Sequence, residues 1–69
     1  MNFNRKVADI EGQIKECETL MKSLEIKMTQ PDIYHDRDKL SQINDQFQKI
    51  KTETELLTKE WEILISSNE

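Results

Sequence analysis

The sequence predicts an all-α fold, an antiparallel two-helix coiled-coil hairpin. Two long stretches carry apolar residues at alternating steps of three and four, and the single proline falls between them. When the chain is folded back at that proline, the two apolar series meet layer by layer.

The first series is Phe3, Val7, Ile10, Ile14, Cys17, Met21, Leu24 and Met28. Its average period of 3.5 residues defines a heptad seam on one helical face. The second is Leu40, Ile43, Phe47, Ile50, Thr54, Leu57, Trp61 and Leu64, equally regular. Helix is expected over 3–29 and 37–66, with a turn over 30–36. Pro31 has no N–H to donate and disfavours helix in the residue before it, so the first helix should stop near Thr29 or Gln30. Asp36 suits the N-cap of the second helix, and Asp38 suits its first turn.

A hairpin requires paired residue numbers to have a constant sum. Phe3 with Leu64 gives 67, Val7 with Trp61 gives 68 and Ile10 with Leu57 gives 67. Ile14–Thr54, Cys17–Ile50, Met21–Phe47, Leu24–Ile43 and Met28–Leu40 continue the alternation. At 1.5 Å per residue the paired rod should be roughly 40 Å long. Lys6 then flanks Glu60, and Glu18 flanks Lys51. Exposed pairs of this kind are each worth only ~0–1 kcal/mol, so they select register more than they stabilise. Stability must come from the seam, in which Thr54 and Cys17 are the weak layers. Gly12 points outward and costs about 1 kcal/mol relative to alanine.

Composition narrows the function. A chain of 69 residues is one small domain or a piece of a larger chain, with little interior for a ligand pocket. Net charge is −4, which counts against strong nonspecific binding to nucleic acid though not against a local basic spot. Cys17 is the only cysteine, so no internal disulfide can form and a reducing cytoplasm fits. The first residues carry no apolar stretch of signal-peptide type, and no run approaches the roughly 18 residues of a membrane span. No acid–base pair or nucleophile converges, so catalysis by this chain is not expected.

The loop and the end of the second helix carry a more specific pattern. Met28-Thr29-Gln30-Pro31-Asp32-Ile33-Tyr34 resembles the Pro-Asp-x-Tyr tip of a known coiled-coil module. Leu40 with Lys59-Glu60-Trp61-Glu62-Ile63-Leu64 resembles its closing stretch. That module is the C-terminal domain of ABC-F ATPases, above all the Uup type, and the resemblance spans about Val7 to Leu64. It implies a fragment of a cytoplasmic protein with two ATP-binding cassettes upstream, acting on ribosomes or nucleic acid, whose hairpin binds DNA. It implies no membrane partner and no cofactor within the fragment. The sequence has no G-x-x-x-x-G-K-[ST] phosphate loop, so these residues do not hydrolyse ATP by that route. The runner-up resemblance is the C-terminal arm of valyl-tRNA synthetases, another RNA-touching hairpin.

Two surfaces stand out. At the tip, Lys27 faces Lys39, with Arg37 beside them and Lys22 further back, and Tyr34 is placed to stack on a base. Like charges set opposite each other cost stability, and a phosphate backbone would explain them. The alternative is that Asp32, Asp36 and Asp38 neutralise the cluster and Tyr34 plugs the end of the seam. The second surface is Leu56, Ile63 and Ile65, apolar and off the seam. Such residues suit contact with the upstream cassettes or weak self-association; the alternative is scattered surface residues. Lys15, Lys22 and Lys49 read as a solvated face. Asp32, His35, Asp36 and Asp38 match no calcium loop and read as a solvated turn rather than a metal site. Trp61 reads as a core anchor opposite Val7.

Overall fold

The computed structural model describes residues 3–67, all but a few of them helical. The order is α1 (Phe3–Met28), α2 (Pro31–Tyr34) and α3 (Arg37–Ser67). The two long helices pack along each other, and α2 touches both at one end. The result is an all-α helical hairpin measuring 50 × 16 × 14 Å. Its radius of gyration is 15.7 Å, against about 11 Å for a compact domain of this length. The rod exceeds the roughly 40 Å expected because α3 runs unbroken for 31 residues, about 46 Å at helical rise, and so extends past the paired layers.

Burial follows the two seams. Ile10, Cys17 and Leu24, one heptad apart, are buried at 8%, 7% and 6% exposure. The alternate positions Val7, Ile14, Met21 and Met28 are half-buried, as are all eight seam residues of α3. The Phe3–Leu64 pairing lies outside the described side chains. No described side chain is fully enclosed, because two helices share a single line of contact and each seam residue keeps an edge in solvent. The weak layers are managed locally. The Thr54 hydroxyl donates to the Ile50 carbonyl at 2.8 Å, so its polar atom enters the seam already satisfied. Lys6, Glu60, Glu18 and Lys51, which flank the seam, are all exposed.

The connection differs from a plain turn over 30–36. Pro31–Tyr34 is a helical turn, with Pro31 at its start, where the missing N–H costs nothing. Gln30 is extended at φ −82°, ψ 131°, the conformation that a following proline imposes. Its carbonyl accepts the amides of Ile33 and Tyr34, each at 2.9 Å. The chain therefore reverses by two changes of direction around one helical turn. No residue among those described has a positive φ, so no glycine is needed at the tip.

Gly12 sits mid-helix, and a Cβ built there meets nothing within 4 Å. Gly12→Ala should therefore stabilise the hairpin by about 0.5–1 kcal/mol. The urea midpoint should rise with an unchanged slope. Leu24→Ala, at the most buried position, should cost about 2–3 kcal/mol, enough to remove most cooperative unfolding from so thin a core. Loss of the thermal transition by circular dichroism is the measurement.

Candidate functional site

The tip gathers the charged and aromatic residues around α2. Asp36 is half-buried, and its Oδ1 accepts the amides of Asp38 at 3.1 Å and Lys39 at 3.2 Å. This is the N-cap expected from the sequence, and it satisfies two amides that α3 cannot pair within itself. Asp32 lies in the first turn of α2 and Asp38 in the first turn of α3. All three tip aspartates thus sit at helix N-termini, where the backbone dipole favours negative charge. Lys22, Lys27, Arg37 and Lys39 are exposed. Lys27 is in the last turn of α1 and Lys39 in the first turn of α3, at the same end of the hairpin.

The alternative role for Tyr34, plugging the end of the seam, is not what the structure shows. Ile33 is the half-buried residue of α2. Tyr34 is 46% exposed, with its ring edge-to-face against His35, centroids 4.4 Å apart and planes at 74°. A helical turn explains the division: consecutive residues point about 100° apart, so one residue turned inward leaves its neighbour turned out.

The second surface is reduced. Leu56 and Ile63 are 64% and 65% exposed, one heptad apart on the outer side of α3 with Lys59 between them. Ile65 does not join them. It is half-buried, like Thr58 seven residues earlier, and both lie on the edge of α3 beside the seam. Ile65 therefore serves the hairpin, and the exposed line consists of Leu56 and Ile63.

The sequence reading missed three features. Leu20 and Ile26 on α1 are 53% and 58% exposed; their off-seam positions were the available signal. Trp61 does more than fill its layer: its indole Nε1 donates to Glu11 Oε2 at 3.1 Å, joining α3 to α1. Glu11 is one turn from Val7, the layer partner of Trp61, so heptad spacing alone put the acceptor within reach. The inward position of Ile33 was hidden because α2 was read as a loop. Among the described residues, no group of three or more metal-ligating side chains comes together, and no helix is long and apolar enough to cross a membrane.

The hairpin, its proline tip and its seam tryptophan together match one family model, the ABC transporter C-terminal domain, over residues 2–65. The chain belongs to the ABC transporter C-terminal domain family. Comparison with curated proteins and with solved structures returned no match. Membership assigns no ligand, so the choice between the tip and the α3 stripe rests on their chemistry.

Asp36→Ala should destabilise this ABC transporter C-terminal domain by about 0.5–2 kcal/mol, whereas Asp36→Asn should retain most of the cap. Urea unfolding of the two variants, compared at the same pH, makes the test.

Proposed function

We propose that the hairpin is a non-catalytic arm of an ABC-F type ATP-binding protein and that its tip contacts nucleic acid. The supporting observation is a cluster of cations at the tip, two of them placed where the isolated fold gains nothing from them. Lys27 is well sited, because the last turn of α1 favours a positive charge. Arg37 and Lys39 occupy the first turn of α3, the positive end of its dipole. Lys39 also faces Lys27 across the hairpin. A phosphate lying between them relieves both arrangements, since it neutralises the facing lysines and suits a helix N-terminus.

The tip aspartates offset part of this charge, but their places are set by the helices and not by the cations. Asp36 is committed to the cap of α3, and Asp32 and Asp38 serve the first turns of their helices. Most of the remaining acidic residues are spread along the rod. Phosphate contact is then confined to the end of the arm, and the shaft stays off the nucleic acid. In this reading DNA is the first partner, with RNA in a ribosomal setting as the other. The cassettes upstream in the same chain hydrolyse ATP, the arm holds no cofactor of its own, and the protein works in the cytoplasm.

A second reading is favoured by Leu56 and Ile63. Two exposed apolar residues one heptad apart suit a protein contact, either with the parent cassettes or through weak self-association. Under it the hairpin is a spacer or docking arm with no direct hold on nucleic acid.

Binding of the chain to duplex and branched DNA, titrated across salt, separates the two. Tip contact predicts affinity that falls steeply with salt, and Lys27→Glu combined with Lys39→Glu should abolish it. Absent or salt-insensitive binding would leave the docking arm as the better account.

A further inference from the structure

We infer that the tip selects unpaired nucleotides, with the exposed ring of Tyr34 as the platform on which a single base stacks. The inference rests on the nucleic-acid reading above and adds which kind of strand the tip accepts. Its first support is the division of labour within α2. Ile33 takes the half-buried place, so Tyr34 is a large aromatic left 46% exposed at the end of the rod.

The second support is orientation. Tyr34 meets His35 edge-to-face, with centroids 4.4 Å apart. In that geometry His35 covers at most one face of the Tyr34 ring, whichever ring supplies the edge, and the other face is free of it. The backbone beneath is fixed as well. Amide bonds from Ile33, Tyr34, His35 and Asp36 run back to Gln30, Pro31 and Ile33 at 2.9–3.1 Å. The ring therefore stands on an ordered turn.

The third support is size. The rod is 16 × 14 Å in cross-section. The major groove of duplex DNA is about 12 Å wide and the minor groove about 6 Å. One helix fits the major groove; two helices side by side do not enter either groove end-on. In the interior of a duplex, moreover, each base face is covered by its neighbours. A ring on this convex end meets a base face only where the strand is unpaired, while exposed Lys27, Arg37 and Lys39 hold the flanking phosphates. Every base offers a π-face, so stacking of this kind carries little sequence preference.

The test measures fluorescence anisotropy of short labelled strands with the 69-residue chain. An intact single strand is compared with an abasic strand of the same phosphate count and with the corresponding duplex. The intact strand should bind roughly five- to a hundredfold more tightly than the abasic one, the range that base–aromatic stacking supplies. Tyr34→Leu should erase that difference with helicity unchanged, and Tyr34→Phe should keep it. A 2-aminopurine base in the strand should change its emission on binding the native chain and not on binding Tyr34→Leu. Run on both DNA and RNA strands, the comparison shows which sugar the platform accepts. A gain from the bases in either supports the inference, and a gain in neither overturns it. Equal binding of intact and abasic strands, or a duplex that binds best, would overturn base stacking and leave the phosphate contact standing. No binding of any strand or duplex would overturn both.

Discussion

A rod two helices wide has one interface, and the meshing of the two heptad seams along it is the interaction on which the rest of this structure depends. Among the described residues only Ile10, Cys17 and Leu24 are buried, all on α1 at heptad spacing. The other described seam residues keep an edge in solvent, so no second layer exists to compensate for a poor contact. This explains why the polar seam residue Thr54 bonds its hydroxyl to its own helix. It also gives the Trp61–Glu11 bond its value: a large ring half in solvent gains a polar partner on the opposite helix.

The single interface also sets how the chain must turn. The helices have to return antiparallel without disturbing the end of the seam, where Met28 and Leu40 are both half-buried. Pro31 ends α1 by steric exclusion and then starts α2, whose single turn carries the chain across the gap. Asp36 stops that turn from merging with α3 by capping the new helix with its side chain. Ile33 extends the apolar contact beyond the final layer. The side chains of Tyr34, Arg37 and Lys39 are exposed and have no part in this reversal, and a binding role can reside in them.

Exposure is therefore the resource this fold offers a partner. Its sides are charged and mixed in sign, interrupted by the Leu56–Ile63 line on α3 and by Leu20 and Ile26 on α1. Its end is narrow and ordered, and carries the exposed ring of Tyr34 beside that of His35. Membership of the ABC transporter C-terminal domain family places such an arm in a larger protein. A long, narrow rod suits reaching away from the rest of that protein, and that geometry underlies the functional proposal.

Much of the fold was legible in the sequence because a heptad repeat is a statement about geometry. A period of 3.5 puts Val7, Ile10, Ile14 and Cys17 on one face whatever else the chain does, and a constant residue-number sum pairs that face with its mate. The proline and the cap at Asp36 were legible for the same reason, since both act through backbone constraints a few residues long. The site was less so. Tyr34 inward or outward, and Ile65 on the surface or against the hairpin, depend on rotations of less than half a helical turn that composition does not encode. Sequence alone determined the two helices, their antiparallel packing and the point of reversal, because local periodicity and the missing amide of Pro31 impose them. Only the tertiary structure decided that Ile33 seals the end and Tyr34 faces solvent, because that follows from where a four-residue helix comes to rest against two others.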